Sequence, residues 1–180
     1  MSTVFSRVWD MPSSDTFDAL NIGGFVKKYL MRSKVSVDCF SRNKRWTTYT
    51  NDLNPNTAAE YHMDATEFLL KLENEKVVAD LVIFDPPYSL TQVSRSYADI
   101  GLKFNGDENP TGGFPKARDA IARLLTVGGV CLSFGWNSVG LGKGRGFEPV
   151  EIMLACHGGN HNDTICMAER KCEDLQQQLI

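Results

Sequence analysis

Two stretches of the chain, Ala79–Phe84 (ADLVIF) and 129–134 (GVCLSF), are apolar at nearly every position instead of every second one. Continuous runs of this length predict strands covered on both faces, as inside a parallel sheet. Shorter runs ending at Ser36–Asp38 and spanning 46–50 and 61–63 predict further strands. Between them the period changes. Ile22, Phe25, Val26, Tyr29 and Leu30 form one stripe of a helix over 22–30. The segment 64–72 opens with an aspartate able to cap, carries Glu67 three residues on, and continues into Phe68 and Leu69. The segment 115–125 starts with a proline suited to a first helical turn and ends before Gly128 and Gly129. Beyond Gly146, Phe147–Cys156 and 162–169 read as a hairpin joined by His-Gly-Gly-Asn-His. Strands alternating with helices give an α/β domain, its sheet mostly parallel with an antiparallel C-terminal hairpin, and ligands bind such sheets at the carboxyl ends of the strands. Two stretches without a clear period, 89–114 and 136–146, each follow one of the strongest strands and should overhang that edge.

Composition narrows the picture. The 180 residues suit a single domain, 1–180, without a large separate recognition domain. A hydrophobic share of 42% with a net charge of −3 excludes disorder as the main state. No apolar run approaches bilayer length, and the first residues lack the apolar core of a signal peptide, so no membrane partner and a cytoplasmic location are expected. The five cysteines are odd in number and contain no C-x-x-C pair, which fits reduced thiols better than a disulfide framework or a zinc site. With 19 Lys and Arg against 22 Asp and Glu, binding to nucleic acid would require the cations to be concentrated on one face.

The chemistry is densest in 80–88, DLVIFDPPY, where a buried strand delivers Asp85 directly into Pro86, Pro87 and Tyr88. Two prolines remove two backbone donors and leave carbonyl oxygens free as acceptors. Acceptors beside an aromatic ring suit an exocyclic amine on a planar base: the amine meets Asp85 and the Pro86 carbonyl while Tyr88 stacks. This segment resembles motif IV of amino-group DNA methyltransferases, the D-P-P-Y of adenine-specific enzymes. Asp38-Cys39-Phe40 resembles their motif I, Asp52 with Leu53 the ribose-binding acidic position, Asp64 with Ala65 motif III, and Thr16-Phe17 motif X at the methionine end. The order resembles the gamma arrangement of small phage and prophage enzymes, whose Gly-Trp-Asn-Ser after the fifth strand is matched at 135–138. The resemblance implies a Rossmann-like class I methyltransferase fold, S-adenosyl-L-methionine as cofactor, double-stranded DNA as substrate, base flipping with direct methyl transfer to adenine, and a host-cytoplasmic location for a phage-encoded chain. Without a recognition domain, a homodimer or short-site recognition follows.

One departure stands out. Where motif I is followed by glycines, this chain reads Ser41-Arg42-Asn43-Lys44-Arg45-Trp46, and Ser41 or Asn43 is expected to make the turn. That substitution keeps open a catalytically silent binding subunit, and a cytosine-amine or RNA methyltransferase also fits the motif. Arg95, Lys143 and Arg145 are the candidate DNA contacts, the last two in a basic, glycine-rich loop expected near the site. Trp136, Asn137 and Ser138 are candidates for lining a base pocket. His157 and His161 flank a predicted turn, and a polar hairpin tip is favoured there over a metal site; no metal is expected.

Overall fold

The computed structural model describes residues 2–11, 13, 15–103, 114–159 and 161–173. Among these, seven strands join in one sheet: β1 (Val4–Trp9), β2 (Ser36–Asp38), β3 (Tyr49–Thr50), β4 (Ala79–Phe84), β5 (Leu125–Gly135), β6 (Phe147–Cys156) and β7 (Thr164–Lys171). Their spatial order is β1-β6-β7-β5-β4-β2-β3, and only β7 runs against its neighbours. The expected mostly parallel sheet with an antiparallel C-terminal hairpin is therefore observed.

The unbroken apolar run of β4 has a simple cause. Leu81 and Ile83 pack against α1 (Leu20–Leu30), together with Phe25, Val26, Leu132 and Phe134. Val82 and Phe84 point the other way, into a second cluster with Phe68, Leu69 and Leu72 of α2 (Ala65–Asn74) and Ile121 of α4 (Pro115–Leu124). Both faces are dry, so from Leu81 to Phe84 no position alternates to polar, and Asp80 stands at the strand's start.

Each helix start is satisfied differently. Ala19 cannot cap α1, and Asp10, at the end of β1, supplies the carboxylate instead, accepting from the backbone of Asn21 and Ile22. Asp64 caps α2 by accepting from Thr66 N at 2.8 Å and Glu67 N at 3.3 Å.

Three elements differ from expectation. β1, an edge strand with only Ser6 and Val8 half-buried, was hidden by its weak pattern. The segment 90–98, part of a stretch expected to overhang as loop, forms α3 (Leu90–Ala98), capped by Ser89, with Val93 alone buried; 104–113 of that stretch lie outside the described residues. The third strand expected at 61–63 shrinks to a single bridge, Asn51 with Tyr61, and 46–50 pairs only over Tyr49–Thr50.

No helix is long and apolar enough to cross a membrane among the described residues.

Candidate active site

The carboxyl ends of β2, β3 and β4 open into a cleft of about 540 Å³. Thr16, Phe40, Asp52, Leu53, Asp85, Pro86, Pro87, Tyr88 and Arg95 line it, as expected from the sequence, together with Arg42, Asn54 and Gln92. A smaller recess of about 90 Å³ adjoins it, lined by Phe40, Leu53, Asp64, Ala65, Pro87 and Tyr97. Beyond Tyr88 a further hollow of about 270 Å³ is bounded by Trp136, Gln92 and His161.

Asp85 follows directly on β4. Burial pushes its carboxyl up to about 6, against the pull of hydrogen bonds from Tyr88 and Thr16. The Tyr88 hydroxyl donates to Asp85 Oδ1, its backbone N–H donates to Gln92 Oε1 at 2.6 Å, and its ring meets Trp136 edge-on at 5.7 Å between centroids. The tyrosine expected to stack on a base therefore rests on the carboxylate here, with its ring forming one wall between the cleft and the hollow beyond.

Asp38 lies beneath the cleft, 2% exposed. It accepts from Phe40 N at 3.0 Å, and burial, reinforced by the charges of Asp85, Asp52 and Asp15, raises its carboxyl to about 8. Asp52 is held by two backbone donors, Arg42 N at 3.0 Å and Asn54 N at 2.9 Å. Asp64 adds to its capping role a hydrogen bond from the Tyr97 hydroxyl at 3.2 Å. Asn51, which sequence reasoning passed over, ties the strand ends together: its side-chain amide donates to Cys39 O and Met63 O, and its oxygen accepts from Met63 N.

The turn after motif I is made by Arg42, at φ 50°, and not by Ser41 or Asn43. Ser41 is buried and fixed by Asn51 O on both its N–H and its hydroxyl, so the left-handed position falls one residue later.

Other expected site residues sit elsewhere. Phe17 is 6% exposed and belongs to the core, stacked on Trp46 and tilted against Phe134, because its ring finds an apolar layer under α1. Lys143 and Arg145 form a short 3-10 turn just before β6. Ile152, Met167, Ser133 and Phe84 lie level across the sheet, and β6 begins five residues lower, at Phe147, about 17 Å away at the rise of a strand. The loop after β5 thus carries these cations to the edge opposite the cleft, correcting their expected place beside the site. There Arg145 pairs with Asp119 at 2.7 Å and donates to Leu141 O. Buried Glu169 anchors the same loop by accepting from Leu141 N and Gly142 N, and Gly140, at φ +53°, leaves no room for a side chain against it.

His157 is absorbed by the fold, one ring nitrogen 3.1 Å from Asp10 O and the other 2.9 Å from Thr164 Oγ1. Among the described residues, no group of three or more His, Cys, Asp or Glu side chains is placed to hold a metal ion.

No protein-family model matches this sequence, and no curated protein does. Solved structures do resemble it. The N-methyltransferase NodS from Bradyrhizobium japonicum WM9, in complex with S-adenosyl-L-homocysteine, superposes with a TM-score of 0.53 at 10% identity over 84% of this chain and 85% of its own. An rRNA methylase from Streptococcus thermophilus gives 0.52 at 15% identity over 83% and 95%. A SAM-dependent methyltransferase from Streptococcus mutans gives 0.52 at 12% identity over 81% of this chain, which spans only 48% of that protein. At such identities the likeness is one of architecture, and it agrees with the strand order and the single reversed strand: the chain has the Rossmann-like fold of S-adenosylmethionine-dependent methyltransferases.

Proposed function

We propose that the protein uses S-adenosyl-L-methionine to methylate the exocyclic amine of adenine in double-stranded DNA. The observation that carries this reading is Asp85-Pro86-Pro87-Tyr88 at the carboxyl end of β4, opening into the same cleft as Asp52, beside the recess that holds Asp64. The residues suit the cofactor. The charges of Asp85, Asp52 and Asp15 raise the affinity of the Asp38 carboxyl for a proton, and that of Asp15 does the same to Asp85, a setting that favours a ligand carrying positive charge. The apolar recess suits a flat ring, with Asp64 at its rim as acceptor for an amine. When bound, the cofactor supplies the activated methyl group.

The chain's own residues align the target. The adenine amine takes the place of the Tyr88 hydroxyl on Asp85 and donates its other hydrogen to the Pro86 carbonyl. This turns the nitrogen lone pair toward the cleft, and Asp85 then stabilises the charge that develops on nitrogen. Tyr88, released from Asp85, stacks on the extruded ring, and Trp136 lines the hollow behind it. The likeness to an rRNA methylase supports RNA as a second reading of the substrate.

The test is transfer of labelled methyl from S-adenosylmethionine to duplex DNA or RNA, followed by nucleoside analysis. N6-methyladenine in DNA is the expected product. Methylated cytosine or labelled RNA would replace the substrate assignment. Absence of saturable cofactor binding by a folded protein would replace enzymatic transfer with a silent binding subunit.

A further inference from the structure

The residues 27–45 hold seven of the chain's 19 Lys and Arg and one acidic residue, Asp38, which is buried. The other 161 positions carry 12 basic residues against 21 acidic. The fold brings this biased segment to one face. Trp46 joins its two halves, with Lys27 Nζ of α1 5.0 Å from the ring centroid and Lys44 Nζ of the following loop 5.5 Å from it. Lys27, Arg32, Lys34, Arg42 and Arg45 are exposed. The acidic groups beside it are Asp15 and Asp18, which pair with Lys44, Glu151, which pairs with Lys28, Asp52, which accepts from Arg42 N, and Asp80, which accepts from Lys34 N and Val35 N. The surface starts at the cleft, where Arg42 lines the same wall as Asp85 and Tyr88, and runs down α1 to Arg32 and Lys34. The 11 residues of α1 span about 16 Å, which at 3.4 Å per step faces roughly five phosphates of one DNA strand.

We propose that this face, from Arg42 and Arg45 past Lys27 to Arg32 and Lys34, docks the phosphate backbone of duplex DNA and leads the target nucleotide to the cleft. The inference rests on the methyltransferase reading for its substrate, though not for its binding chemistry. It also gives the glycine-free turn a purpose. Of the residues that replace glycine after motif I, Arg42 lines the cleft, while Lys44 and Arg45 follow it in the same loop, Lys44 paired with Asp15 and Asp18. The glycine-rich basic turn at Lys143 lies on the opposite edge.

The test compares the unmodified protein with a variant carrying Lys27→Gln, Arg32→Gln, Lys34→Gln and Arg45→Gln, and with a control carrying Lys116→Gln and Lys143→Gln. Binding to a labelled DNA duplex is followed by fluorescence anisotropy across a salt series, and S-adenosylmethionine binding by calorimetry. The fourfold variant should bind DNA at least tenfold more weakly, and its slope of log K against log salt should shrink by about 3–4, near 0.9 per lost phosphate contact. The control should match the unmodified protein. Should the fourfold variant unfold, Arg45→Gln alone must still reduce the slope by about 1. Unchanged affinity and slope, a larger loss in the control, or tighter binding of an RNA duplex of equal length would overturn the proposal. DNA binding through this face without cofactor binding would sink the methyltransferase reading and leave the surface standing; cofactor binding without any DNA binding would do the reverse.

Discussion

Four of the aspartates around the cleft fall into two pairs. Asp38 and Asp85 come at or directly after strand ends; Asp52 and Asp64 sit in a turn and at a helix start. The turn pair receives two backbone N–H groups per carboxylate, because a tight turn and a first helical turn both present unsatisfied donors. The strand pair receives few: Asp38 has the single N–H of Phe40, and Asp85 has hydroxyls from Tyr88 and Thr16. Burial outweighs these few donors and pushes both carboxyls upward, to about 8 and about 6. One pair is settled by its own backbone, while the other is left to be completed by something that enters the cleft.

The strongest way to break that comparison is Asp85→Ala. Methyl transfer should fall by about 10²–10³-fold in a single-turnover assay, with circular dichroism unchanged. Retained transfer would remove Asp85 from the chemistry.

Asp38→Asn should act next, and in the opposite direction on stability. The folded state holds a proton on Asp38 that the unfolded chain releases near pH 3.8, so this residue makes stability fall as pH rises from about 4 to about 8. Removing the charge should flatten that fall by about 3 kcal/mol between pH 5 and pH 8 in urea titrations. Equal pH dependence in the two proteins would show Asp38 to be better solvated than its burial implies.

The third effect is a pH profile. Asp85 serves as an acceptor only when ionised, so transfer should drop about tenfold from pH 7 to pH 5, following its value near 6. In Asp85→Asn the residual rate should lack this limb.

Smallest is Asp64→Ala, which should cost about 1 kcal/mol of stability through the lost helix cap. It should leave the pH profile of transfer unchanged while weakening S-adenosylmethionine binding in calorimetry. A shifted profile would join Asp64 to the strand pair.

Much of this was readable in the residues. Continuous apolar runs identify β4 and β5 because both faces are dry, and Asp85-Pro86-Pro87-Tyr88 identifies the strand end because prolines stop the ladder. What was not legible depended on distant partners. β1 has an edge strand's weak pattern and is held by β6, some 147 positions away in register. Phe17 has the neighbours of a site residue in sequence, yet its ring is claimed by Trp46 and Phe134. The two basic loops, Arg42–Arg45 and Lys143–Arg145, look alike in sequence, and only the direction of the strands beside them separates cleft from opposite edge. That Tyr88 rests on Asp85 in place of facing open space is a rotamer choice, which no pattern of residue types encodes.

The insertion of β7 between β5 and β6 also fixes the timetable of assembly. Synthesis proceeds from the N-terminus, so among the described strands β1 emerges well before β6, the strand it pairs with, and β6 in turn reaches the rest of the sheet through β7. Until Cys156 has left the ribosome β1 has no ladder to join, and until Lys171 has, the pair of β1 and β6 has no sheet to join. The nascent chain therefore carries an unpaired strand through most of the synthesis of this sequence, and the last of the described strands is the one that ties β1 and β6 to the rest of the sheet.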